Sequence, residues 1–137
     1  MKNKVCIVVA RYYKDVAADL LKGTTLILDD YKIKHKILYA PGVFELPFLI
    51  SANIKKYNAF VALGCVIKGE TPHFDFISRA AIQGIMDLSI KHHIPITNGI
   101  ITCLNREQAI ERSNLSKKNK GGEAARALLH LLGIAKN

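Results

Sequence analysis

Nine consecutive residues, Ala59-Phe60-Val61-Ala62-Leu63-Gly64-Cys65-Val66-Ile67, carry no charge and no alternation of polar with apolar side chains. A strand with one wet face alternates, whereas a strand covered on both faces does not. The run therefore predicts an inner strand of a parallel sheet with helices above and below it. Directly after it come Gly69, Thr71 and Pro72, which permit a tight turn and suit the first positions of a helix, and the turn delivers His73 to that helix start. Backbone N–H groups in such a loop face outward from the carboxyl end of a strand, where anionic ligands settle in open α/β sheets. A phosphate-bearing substrate and a proton shuttle at His73 are the expectation.

The rest of the chain supplies partners for that strand. Val5-Cys6-Ile7-Val8-Val9-Ala10 is a second fully apolar run. The following helix carries Val16, Leu20, Leu21 and Leu28 roughly on one face. Residues 33–39 alternate, with Ile33, His35, Ile37 and Tyr39 opposite Lys32, Lys34, Lys36 and Leu38, as an edge strand with one wet face would. Ala40-Pro41-Gly42 turns the chain into a helix from about Val43 through Ile54, and Pro47 in its first turn or so is tolerable there. After Pro72 a long helix carries Ile77, Ala81, Ile85 and Leu88 and ends at His92-His93, whose place at a helix C-terminus suits the macrodipole. Residues 94–104 predict a fourth strand interrupted at Asn98-Gly99. Asn105 caps a short helix over 106–113, residues 113–122 form a polar lysine-rich connection, and a last helix runs from Glu123 to about Leu132 and stops at Gly133. This order predicts an α/β fold: a three-layer sandwich with a four-stranded parallel sheet flanked by helices, joined by right-handed crossovers.

Composition narrows the class. At 137 residues the chain is expected to form one domain over 1–137 and to bury a core without staples. The formal charge of +9 admits nucleic acid, an anionic membrane or an anionic small substrate as partner. The lysines are spread along the chain without interleaved aromatics, so a solvated basic surface is the plainer reading, with the run at 117–120 an exception. Cys6, Cys65 and Cys103 each lie in an apolar run, odd in number and without metal-ligand spacing, and read as reduced core residues of a cytoplasmic protein. The apolar stretch after Met1-Lys2-Asn3-Lys4 is too short for a signal peptide, and none approaches the roughly 18 apolar residues of a membrane span. A four-stranded sheet with open edges and a high apolar fraction also predicts a homo-oligomer.

Several side chains could act on a ligand, each with a plainer alternative. His73 meets the positive end of a helix, so its neutral imidazole could accept and return protons near pH 7; otherwise it is a surface histidine at a cap. Thr71 and the backbone of residues 69–71 could bind phosphate, although Glu70 would repel an anion unless it points away. Arg112 could complete that site as a bidentate clamp, or be an exposed arginine at a helix end. Glu45 could accept hydrogen bonds from a ligand or remain a helix-start carboxylate without a partner. Tyr12 or Tyr13 could stack on a flat ring, or pack on the first helix.

Taken together, these stretches resemble the lumazine synthase family of riboflavin biosynthesis. Pro41-Gly42-Val43-Phe44-Glu45-Leu46-Pro47 is similar to the family's PGxFE(I/L)P segment. Residues 64–75 resemble its GxVI(K/R)GxTxH(F/Y)(D/E) segment, and residues 99–102, 108–112 and 119–121 resemble GxxT, QAxxR and NKG. The resemblance covers nearly the whole chain without a gap. It implies a flavodoxin-like fold and condensation of 5-amino-6-(D-ribitylamino)uracil with 3,4-dihydroxy-2-butanone 4-phosphate, releasing phosphate and water. No cofactor and no metal is implied. His73 would shuttle protons, and Glu70, Thr71 and Arg112 would hold the phosphate. Tyr12 would stack on the pyrimidine, Val43, Phe44 and Glu45 would meet its ring and ribityl chain, Cys65, Val66 and Ile67 would line the floor, and Lys120 would reach a ring oxygen.

The chain departs from the family at two places. Tyr13 stands where many members carry Asn, and Asn98 where many carry the Phe that a neighbouring subunit lends to the pyrimidine. Asn98 weakens the stacking and offers an amide instead, which bears on substrate affinity more than on reaction type. The family implies a site shared between adjacent subunits of a pentamer, with Arg112, Asn98 and Lys120 arriving from the next subunit. A start four residues before the first strand argues for a free pentamer or a pair of pentamers over a sixty-subunit shell, and riboflavin synthase is a further partner the resemblance suggests. Nucleic acid and membrane are not expected partners. The competing readings are a ligand-binding member without catalysis, motivated by Tyr13 and Asn98, and a nucleic-acid-binding domain, which rests on charge alone.

Overall fold

Strand β1 (Val5–Ala10) lies between β2 (His35–Ala40) and β3 (Ala59–Ile67), and β4 (Ile96–Cys103) pairs with the far side of β3. Every pairing is parallel. This computed structural model describes residues 3–135, so the first two and last two residues of the single-domain expectation, and the start of the stretch weighed as a signal peptide, lie outside the described residues. The two inner strands are those whose sequences lack alternation: all of β1 and the first seven residues of β3 are buried.

Helices cover both faces. On one, α1 (Lys14–Asp30), α4 (Arg106–Ser113) and α5 (Lys120–Leu131) pack Val16, Leu20, Leu28, Ala109, Leu128 and Leu129 against Ile7, Val9, Val61, Leu63 and Cys103. On the other, α2 (Leu46–Ala52) and α3 (His73–His92) pack Leu46, Ile50, Ala81 and Ile85 against Cys6, Val8, Phe60 and Ala62. Each fully buried leucine contributes about 1.5–3 kcal/mol relative to exposure, so the two apolar seams hold the layers together. The result is the three-layer, flavodoxin-like α/β sandwich. Asn105 caps α4 as expected: its Oδ1 accepts from the Gln108 N–H at 2.9 Å, while the Gln108 Oε1 accepts from the Leu104 N–H at 2.8 Å.

Several boundaries differ from the sequence expectation, each for a packing reason. Strand β4 is continuous, with Asn98 opposite Ala62 and Gly99 opposite Leu63. Gly99 is no break; a Cβ there would lie 2.4 Å from Leu63 Cδ2, so glycine lets neighbouring side chains close over the strand. Helix α5 begins at Lys120, three residues earlier than expected, with Asn119 at its cap in a left-handed conformation (φ 45°) and accepting from the Gly122 N–H. The Gly121-Gly122 pair that reads as loop belongs to the first turn, where α5 presses on α1. The second strand starts at His35, and Leu38 packs into the α2/α3 layer while Ile37 packs into the other, so neither face of this edge strand is wholly wet. The helix expected over 43–54 is a 3-10 turn (Val43–Glu45) running into α2, which ends at Ala52.

Candidate active site

At the carboxyl ends of β1 and β3 the chain leaves the sheet in opposite directions, the point at which open α/β sheets form a crevice. A cleft of about 480 Å³ opens there. Tyr12 and Tyr13 reach it from the end of β1, Val43, Phe44 and Glu45 from the turn after β2, and Cys65, Val66 and Ile67 from the end of β3. Gly64 brings the 43–45 turn down onto the sheet: a Cβ there would lie 2.7 Å from Val43 Cγ2. Gly69, Thr71 and His73 close the cleft from the β3–α3 loop, followed by Phe74 and Ile77 on α3. The Thr71 Oγ1 accepts from the His73 N–H at 3.4 Å, tying the loop to the helix start. Tyr12 is 74% exposed and Phe44 58%, so two aromatic faces stand open beside the cleft. Tyr12 meets Tyr13 edge-on, with ring centroids 4.9 Å apart.

Three of the expected site residues lie elsewhere. Asn98, Arg112 and Lys120 line a second cleft, of about 560 Å³, along the free edge of β4 between that strand and helices α4 and α5. The Asn98 Oδ1 accepts from the Ile100 N–H at 2.9 Å, which covers an unpaired edge donor and leaves the amide nitrogen as its outward group. The Arg112 Nη1 donates to the Thr102 carbonyl at 2.8 Å, so this arginine is braced against the sheet edge and is not free at a helix end. Lys120 pairs with Glu123 at 3.2 Å. Glu70 is exposed and is not part of the lining of the first cleft. One chain thus carries two partial clefts, with His73 in one and Arg112 in the other.

Burial sets the chemistry of the cysteine in the floor. It pushes the Cys65 thiol up to about 12, with Cys103 beside it adding to the rise, so Cys65 lines the cleft as a neutral thiol and not as a nucleophile. The phenol of Tyr13 is raised as well, first by burial and then by Cys65. Among the described residues no group of three His, Cys, Asp or Glu is placed to hold a metal ion. No helix among them is long and apolar enough to cross a membrane.

Residues 2–136 match the model of the 6,7-dimethyl-8-ribityllumazine synthase family. The chain belongs to this family. Proteins named 6,7-dimethyl-8-ribityllumazine synthase from Methylorubrum populi and Agrobacterium fabrum are 42% and 40% identical to it, with 96% and 98% of this chain aligned to 82% and 96% of theirs. A third, from Paramagnetospirillum magneticum, is 38% identical over 96% of this chain and 93% of its own. Membership makes the chain an enzyme of the transferase class and places it in riboflavin biosynthesis.

Within the lumazine synthase framework, two groups of lining residues escaped the sequence reading. Phe74 and Ile77 line the first cleft because the first turn of α3 passes over it. Their signal was the i, i+3 spacing from His73-Phe74 onward, which was read only for the core face. Glu111, Lys118 and Glu123 line the second cleft and were hidden because that cleft is built from two helices and a strand edge far apart in sequence.

Proposed function

We propose that the chain condenses 5-amino-6-(D-ribitylamino)uracil with 3,4-dihydroxy-2-butanone 4-phosphate to give 6,7-dimethyl-8-ribityllumazine, phosphate and water. The observation that carries this reading is the gathering of Tyr12, Val43 to Glu45, Cys65 to Ile67, Thr71 and His73 around one cleft in a member of the family. The pyrimidine amine attacks the ketone and a Schiff base forms with loss of one water; removal of a proton and departure of phosphate give an enol that tautomerises to a ketone, and the ribitylamino nitrogen closes the ring on that carbonyl with loss of a second water. The ring of Tyr12 stacks on the pyrimidine, Val43, Phe44 and Glu45 meet the ring and its ribityl chain, and Cys65, Val66 and Ile67 form an apolar floor that keeps water from the Schiff base. Thr71 with the backbone of its loop receives the phosphate, and His73 carries protons between the reacting nitrogen and oxygen atoms. Most of the rate gain comes from holding two reactants together, which can be worth about 7–11 kcal/mol.

The working site is completed by a second copy, whose Asn98, Arg112 and Lys120 face the cleft of the first and whose arginine clamps the phosphate. Two features support this: the partial clefts are separate on one chain, and Tyr12, Phe44, Phe48, Phe76 and Ile90 are all more than half exposed. The assembly is a ring of five, alone or paired with another, acting in the cytoplasm, where three buried free cysteines stay reduced, and open to association with riboflavin synthase. Mixing the two substrates with the protein and following lumazine absorbance, beside a mass measurement of the assembly, tests the proposal. Product formation no faster than the uncatalysed reaction would sink it and leave a binding protein.

A further inference from the structure

Another cleft lies at the opposite end of the sheet, where the strands begin, and the proposed reaction does not use it. Its volume is about 880 Å³. Lys4 enters it from the residues before β1, Lys32, Lys34 and Lys36 from the lead-in and start of β2, and Tyr57 from the turn before β3. Lys32, Lys34 and Lys36 alternate along one stretch of sequence, and the pairing of β1 with β2 brings Lys4 beside them. Asp29 is the one carboxylate in the lining, and among the described residues none of the four lysines is in an ion pair.

The walls of this cleft are fixed. The Lys4 N–H donates to Asn58 Oδ1 at 2.8 Å, and the Asn58 N–H donates back to the Lys4 carbonyl at 3.0 Å, which locks the starts of β1 and β3 together. Helix α1 ends with the Lys32 N–H on the Asp29 carbonyl at 2.9 Å and the Ile33 N–H on the Leu28 carbonyl at 2.8 Å. That closure needs a left-handed residue, normally glycine, and Lys32 fills it at φ 57°, at a cost of about 1–2 kcal/mol. The Nδ1 of His35 is held 3.1 Å from the Ile33 carbonyl. The ring of Tyr57 is steadied edge-on by Phe60, with centroids 5.8 Å apart at 72°.

Four ammonium groups opposed by one carboxylate match a ligand with two or more phosphates, and the half-buried Tyr57 offers its ring face to a flat ring. The cleft is within the roughly 300–1,000 Å³ typical of small-molecule sites, and all four lysines line this one cleft. We propose that this cleft binds a small molecule carrying two or more phosphates on an aromatic ring, the chemistry of a nucleoside diphosphate.

Calorimetric titration of the assembled full-length protein with ADP, inorganic pyrophosphate and a short single-stranded oligonucleotide tests this. ADP should bind saturably, one per chain, and Lys34→Glu with Lys36→Glu should weaken it by at least about tenfold through loss of local positive potential. Tyr57→Leu should weaken ADP while leaving pyrophosphate unchanged. The double change Lys14→Glu with Lys22→Glu alters net charge equally at residues outside the cleft lining, Lys14 being at the opposite end of the sheet, and should leave ADP binding intact. Substitution by Gln at 34 and 36 repeats the test should the Glu pair impair folding. Four results would each overturn the proposal: no saturable ADP binding at millimolar concentration, ADP binding indifferent to residues 34 and 36 or to Tyr57, equal loss in the control double variant, or an oligonucleotide bound in preference to ADP.

Discussion

Gly121 and Leu20 meet so closely that a Cβ on Gly121 would lie 2.0 Å from the Leu20 carbonyl oxygen. Thr24 reinforces the contact, its single hydroxyl proton shared between the Gly121 carbonyl at 2.9 Å and the Leu20 carbonyl at 3.1 Å. The clash is with backbone, so no rotamer relieves it. Gly121→Ala should therefore cost more than about 3 kcal/mol in chemical denaturation, at the upper end of overpacking effects. Gly69→Ala, where no atom lies within 4 Å, should leave stability within about 0.5 kcal/mol.

His73 faces the cleft from the first turn of α3, and its proposed work is proton transfer in a reaction dominated by positioning. His73→Ala should slow turnover toward the low end of the roughly 100- to 10,000-fold range for general acid–base catalysis, with the assembly intact. Complete loss of turnover in a folded, assembled variant would contradict this order of importance.

Arg112 is braced on Thr102 in a cleft separate from His73. Arg112→Ala should raise KM for the phosphate-bearing substrate by about tenfold or more, as expected when a charged hydrogen bond worth about 1.5–3 kcal/mol is lost. Subunits carrying Arg112→Ala, unfolded and refolded together with subunits carrying His73→Ala, should regain activity above the mean of the two parents, because some contacts then join an intact half of each kind. Activity equal to the mean would show that each chain works with its own residues.

Cys6 and Cys65 are both raised from an ordinary thiol value of 9.0 to about 12, in each case chiefly by burial. The unfolded chain releases these protons first as pH rises. Their contribution to stability is therefore intact below pH 9 and is lost between 9 and 12, at up to about 1.4 kcal/mol per pH unit for each thiol. Cys6→Val, which keeps an apolar side chain of similar size at a fully buried site, should show a shallower alkaline decline in denaturation midpoint than the parent. Equal slopes would remove the thiol from the account.

The parallel strands, their helical cover and the outline of the first cleft were legible in sequence because their signals are local. A run such as 59–67 reports its own burial, and Asn105 with Gln108 reports its own cap. Gly99 and Gly121-Gly122 were misread for the opposite reason. A glycine demanded by close approach carries the same letter as one demanded by a turn, and only the partner, Leu63 in one case and Leu20 in the other, tells them apart. The cleft before β1 and β2 was invisible in the same way: Lys4 and Tyr57 join the lysines of 32–36 only once β1 pairs with β2 and β3. Arg112 could be named from spacing, but its hydrogen bond to Thr102 depends on α4 folding back along β4.

The separation of His73 from Arg112 on one chain has a consequence in counting. When unlike halves meet head to tail, an open string of chains leaves one unused half at each end, whereas a closed ring leaves none. In the proposed ring, the last contact to form therefore adds one more working centre without adding another chain.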